Sequence, residues 1–143
     1  MKDVIEFSIV VKANAMEVWH ALTDSDELEN WWGEGVKIEP KVGGQFREKW
    51  EDDEGNAQLA TGKILSMKIK KEITFTWREK DWPKEANTKC TFQIEADSAH
   101  KSTLTLFHTG WETLPEALRK NTYKDFTVGW TYHLKELKAY LDE

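Results

Sequence analysis

The sequence has little from which to build a covalent, metal-bound or membrane-bound scaffold. Its single cysteine, Cys90, has no internal disulfide partner, which fits a reducing compartment. The four histidines, His20, His100, His108 and His133, lack the paired spacing that zinc ligation needs, so no metal is expected. No apolar run approaches the ~18 residues that suggest a membrane span. The start, Met1 to Glu6, carries acids where a signal peptide has an apolar core. Basic residues are in the minority: 20 Lys and Arg against 26 Asp and Glu leave a formal charge of −6. That balance argues against nucleic acid and against an anionic membrane surface as partners. Phosphate-cradling glycine loops, Ser-His-Asp patterns and GxSxG elbows are absent, so neither a classical enzyme nor a bound cofactor is indicated. The expectation is one cytoplasmic domain over residues 1–143, large enough to bury a core without staples.

What the chain has in abundance is tryptophan. Eight are present, at Trp19, Trp31, Trp32, Trp50, Trp77, Trp82, Trp111 and Trp130. Aromatics dominate cores and apolar pockets alike, so the count alone does not separate the two.

The pattern of apolar residues divides the chain. Ile5, Phe7 and Ile9 alternate with polar residues in a first strand, Val4 to Val11. Asn14 with Glu17 forms a capping box ahead of Ala15, Val18, Trp19 and Leu22, one face of a short helix. Asp24 and Glu27 open a second helix carrying Leu28, Trp31 and Trp32, with Gly33 as its stop. From Val36 the period becomes two. Strands are expected at Val36 and beyond, at Phe46 to Trp50, Leu59 to Ser66, Ile73 to Trp77, Thr88 to Glu95 and Ser102 to Thr109. Their regular spacing predicts a meander in which each strand pairs with the one before it. Glu79 to Asn87, with an exposed Trp82-Pro83, is expected as a loop that borders a pocket entrance together with Trp111 to Leu114. Tyr123, Phe126, Trp130, Leu134, Leu137 and Leu141 make one continuous stripe on a helix from Pro115 to Leu141, roughly 40 Å long. An α+β architecture follows: about seven antiparallel strands, curved around the long helix, with two short helices after the first strand.

The ordered set Val18-Trp19-His20-Ala21-Leu22-Thr23-Asp24, Trp31-Trp32, Gly43-Gly44-Gln45-Phe46, Gly62-Lys63-Ile64-Leu65, Phe75-Thr76-Trp77 and Gly129-Trp130 with Leu134, Leu137 and Tyr140-Leu141 resembles one family. It is that of the domains homologous to the activator of the ninety-kilodalton heat-shock chaperone's ATPase (AHSA-like). This family belongs to the START-like (SRPBCC) helix-grip superfamily of polyketide cyclases and the birch pollen allergen. The resemblance covers nearly the whole chain. It implies the helix-grip fold and a space between sheet and long helix that commonly holds an apolar ligand. Because fold does not settle activity, three functions follow as alternatives. They are binding of a small hydrophobic or aromatic ligand (lipid-, polyketide- or flavonoid-like), a stress-response module that acts on a chaperone, and a cyclase- or dehydratase-like enzyme.

Candidate ligand-binding residues are Trp32, Phe46, Trp50, Trp77, Phe92, Leu106, Phe126, Trp130, His133 and Leu134, which either fill the core or line a cavity. Glu48 shares a strand face with Phe46 and Trp50, and His108 shares one with Leu104 and Leu106. A buried Glu facing a His could act as an acid–base pair, so these two are the candidate catalytic residues. Gly129 costs about 1 kcal/mol inside a helix relative to alanine, which suggests a packing or access role. An exposed helix face or sheet edge leaves both a monomer and a weak dimer open.

Overall fold

The computed structural model describes residues 4–143; Met1 to Asp3, the first residues of the acid-bearing start, lie outside the described residues. β1 (Ile5–Val11) is followed by α1 (Ala15–Thr23) and α2 (Ser25–Trp31). β2 (Val36–Ile38), β3 (Gln45–Glu51), β4 (Ala57–Lys68), β5 (Glu72–Glu79), β6 (Thr88–Ser98) and β7 (Lys101–Thr109) come next. A 3-10 turn at Trp111–Thr113 leads into α3 (Glu116–Leu141). All seven strands form one antiparallel sheet in the order β1-β7-β6-β5-β4-β3-β2. With α3 laid against it, this is the helix-grip fold.

The meander holds from β2 to β7. β1 is the exception: it pairs with β7, Ile5 opposite His108 through Val11 opposite Ser102. The two helices that follow β1 carry the chain away from its neighbourhood, and β2 starts again at the opposite edge.

The local signals act as their chemistry requires. Asn14 Oδ1 accepts from the Glu17 backbone N–H at 2.8 Å, and Glu17 returns a bond to the Asn14 N–H at 3.0 Å. Asp24 caps α2 by accepting from the Asp26 N–H at 2.8 Å. The Trp31 indole N–H donates to the Ala21 carbonyl at 2.8 Å and ties the two helices together. α2 ends at Trp31, and Gly33 closes it by donating to the Leu28 carbonyl without a left-handed backbone.

The stripe on α3 is buried unevenly. Trp130, Leu134 and Leu137 are buried, whereas Tyr123, Phe126 and Leu141 are half-buried. The 26-residue helix therefore packs tightly over its C-terminal half and stands partly open before Trp130. Trp82 and Trp111 are buried, so neither forms an exposed gate. Trp82 packs on Phe126 with ring centroids 6.0 Å apart. The Arg78 guanidinium ties down the loop by donating to the carbonyls of Trp82, Lys84 and Ala86. Among the described residues no helix is long and apolar enough to cross a membrane.

Candidate functional site

The half-open space beside α3 is a cleft of about 380 Å³, within the range usual for small-ligand sites. Its walls come from three places. α2 contributes its capping residue, Trp32. The sheet contributes Glu48 and Trp50 from β3, and Trp77 and Glu79 from β5. α3 contributes Asp125, Phe126, Gly129, Trp130 and His133, which lie on consecutive turns of one face. A larger groove of about 670 Å³ runs past Lys68 to Glu72 and Gln93 to Ala96. Its charged, solvent-facing walls offer no aromatic surface, so the smaller cleft is the better candidate.

The strand register explains the sheet wall. Phe46, Glu48 and Trp50 share one face of β3 by alternation, and Phe75, Trp77 and Glu79 share one face of β5. Ala60 on β4 is opposite Glu48 on one side and Glu79 on the other. The two carboxyls thus flank a single methyl group. Gly62, two residues along, is opposite Phe46. Having no side chain, it lets the Phe46 and Trp77 rings meet edge to face at 5.7 Å across β4.

The inner part of the aromatic wall is closely packed. Trp32 is surrounded by Trp31, Phe46, Trp77, Trp130 and His133 at centroid distances of 5.3 to 5.8 Å. Trp130 is also held from behind. Its indole N–H donates to His108 Nδ1 at 2.9 Å, so the imidazole proton sits on Nε2, 2.7 Å from Thr88 Oγ1. The Thr88 hydroxyl in turn donates to the Trp77 carbonyl at 2.7 Å. His108 therefore links two cleft tryptophans through a directed chain of hydrogen bonds. Burial pushes its pKa down to about 3, which keeps it neutral.

Electrostatically the cleft is acidic. Burial pushes Glu48 up to about 7, with a smaller push from Glu79. The Trp32 indole lies close enough to favour the Glu48 anion, yet its Nε1 is buried without a well-formed hydrogen bond. Glu79 is raised by burial and then by Asp125 and Asp81. His133 is pushed down to about 4 by burial, and its Nδ1 has no partner. Among the described residues no group of three or more His, Cys, Asp or Glu is placed to hold a metal ion.

Of the residues singled out from sequence, Trp32, Trp50, Trp77, Phe126, Trp130, His133 and Glu48 come together in the cleft. Phe46, Phe92, Leu106 and Leu134 are buried and do not line it. His108 does not line it either and makes no hydrogen bond to Glu48; the histidine that shares the cleft with Glu48 is His133. Sequence reasoning missed Glu79 and Asp125. Glu79 continues the alternation Phe75, Trp77 that mirrors Phe46, Glu48, and Asp125 stands one turn before Gly129, so both carried a signal.

Sheet, gripping helix and aromatic cleft define a START-like helix-grip protein. Residues 12–142 match the family described as activator of Hsp90 ATPase homolog 1-like protein, and the chain belongs to that family. Solved structures share the fold. CV1439 from Chromobacterium violaceum is 24% identical with a TM-score of 0.79, over 100% of this chain and 99% of that one. PFC0360w from Plasmodium falciparum, an HSP90 activator, is 19% identical with a TM-score of 0.75, over 98% of this chain and 96% of that one. The Aha1 dimer from Colwellia psychrerythraea is 20% identical with a TM-score of 0.74, over 97% of this chain and 96% of that one. No curated protein matches the chain.

Proposed function

We propose that the protein binds a small hydrophobic or aromatic molecule in the cleft between the sheet and α3, acting in the cytoplasm. The observation that supports this reading is the aromatic wall of Trp32, Trp50, Trp77, Phe126 and Trp130 beside a helix that carries glycine, Gly129, at the mouth. Buried apolar area at about 25 cal/mol per Å² supplies affinity, and the locked tryptophans supply shape preference. Tryptophan fluorescence and NMR shifts, followed while flavonoids, sterols and fatty acids are added, test it. Perturbation confined to cleft residues supports the reading; flat responses to every compound overturn it.

A second reading is favoured by the family and by one neighbour. PFC0360w is an HSP90 activator, and this chain spans 96% of it. A module of this size is therefore compatible with stimulating a chaperone ATPase. Measuring the ATPase rate of an Hsp90 with and without this protein tests that reading, and an unchanged rate removes it.

A further inference from the structure

We infer that the cleft selects an organic cation, an ammonium group carried on an apolar or aromatic body. The inference rests on the reading of the cleft as a small-molecule site and names the ligand's charge. Glu48 and Glu79 flank Ala60 on the sheet wall, their strands ~10 Å apart. Asp125 stands on the facing helix, near enough to Glu79 to act on it.

Among the described residues no basic side chain forms an ion pair with these acids. The charged groups acting on Glu48 and Glu79 are all acidic. Among the described residues the one ion pair, Lys138 with Asp142, involves neither. Arg78, adjacent to Glu79 in sequence, is taken up by loop carbonyls. The histidine in the cleft, His133, is held neutral by burial. A neutral apolar ligand covering the acids would remove their remaining water, so that each would have to take up a proton or stay uncompensated, at a cost that grows as pH rises. An ammonium group supplies the missing charge.

The surrounding surface suits the same ligand. Trp32, Trp50 and Trp77 border the acids, and indole faces attract a cation through their quadrupole. Trp32 is 8% exposed, and its Nε1 is buried without a hydrogen-bond partner. Being a donor, that N–H favours the Glu48 anion, and it is the indole face that would meet the cation. A metal ion does not explain the acids, because their placement does not converge on one point. The overall charge of −6 also favours encounter with a cation.

Two probes of equal shape decide the matter: benzyltrimethylammonium and neopentylbenzene, its uncharged carbon counterpart. Binding of each is followed by tryptophan fluorescence at pH 8 in the wild type, in Asp125→Asn and in Glu79→Gln. The expected result is an affinity for the cation at least about tenfold above that for the hydrocarbon. That preference should shrink severalfold in each variant, with hydrocarbon binding no weaker. Asp125 is exposed at the rim, so its variant should fold even if Glu79→Gln does not. Equal or better binding of the hydrocarbon overturns the cation inference and leaves the apolar cleft standing. Failure of both probes, together with flat responses to the larger apolar compounds, overturns both.

Discussion

Replacing Glu48 by glutamine should stabilise the protein by an amount that depends on pH. In the folded chain burial holds the carboxyl protonated up to about pH 7, whereas its ordinary value is 4.5. Between those two values the folded state binds the extra proton, so stability declines as pH rises, and the loss is complete above pH 7. At 1.36 kcal/mol for each pKa unit, the ionised side chain costs the fold about 3 kcal/mol. Glutamine has nearly the shape of the protonated acid and never ionises. Wild type and Glu48→Gln should therefore unfold at about the same urea concentration at pH 4.5. At pH 8 the variant's midpoint should lie higher, by on the order of 1–2 M for a chain of this size. His108 and His133 act in the opposite sense. Both are neutral in the fold, so their contribution is complete above pH 6.5 and is lost as pH falls toward about 3 and 4. Because they are present in both proteins, they cancel in the comparison. A difference between the two proteins that is the same at both pH values refutes the assignment of a buried, proton-holding Glu48.

His108→Ala should destabilise the protein by about 3 kcal/mol in chemical denaturation, because it leaves the Trp130 indole N–H buried without an acceptor and opens a void. Gly129→Leu should leave the helix as stable or more so, by up to about 1 kcal/mol, since no atom outside the helix lies within 4 Å of a Cβ there. The same substitution should fill the cleft mouth and weaken ligand binding at least tenfold in a fluorescence titration. Gly62→Ala should be among the most damaging single-methyl additions: its Cβ would run into the Thr76 carbonyl oxygen, and thermal unfolding should fall by many degrees. Asn14→Ala should cost about 1 kcal/mol through loss of the capping box.

Much of this molecule was legible one segment at a time, because the signals involved are local. The capping box at Asn14 and Glu17, the capping Asp24, and the two-residue and helical periods each depend on residues a few positions apart. They identify strands and helices before any tertiary contact exists. They also place Glu48 beside Trp50 and Trp32 beside a helix end, two of the five aromatics in the cleft wall. What they do not carry is register between distant strands. Nothing local says that β1 pairs with β7, which fixes Ile5 opposite His108 across the sheet. Nor does anything local say that Ala60 stands between Glu48 and Glu79.

The two histidines show the division most clearly. By alternation His108 belongs to an inner sheet face, and it is indeed fully buried. Its role was decided elsewhere, by Trp130 on a helix and Thr88 on another strand, which occupy both ring nitrogens. His133, one residue off the helical stripe, keeps an unpartnered nitrogen and a place in the cleft wall. The sequence alone determined the element types, the apolar faces and the family, because these follow from short-range spacing and residue order. Tertiary structure decided which polar groups share a cleft, which are paired and which must hold a proton. Those properties depend on desolvation and on neighbours brought from opposite ends of the chain.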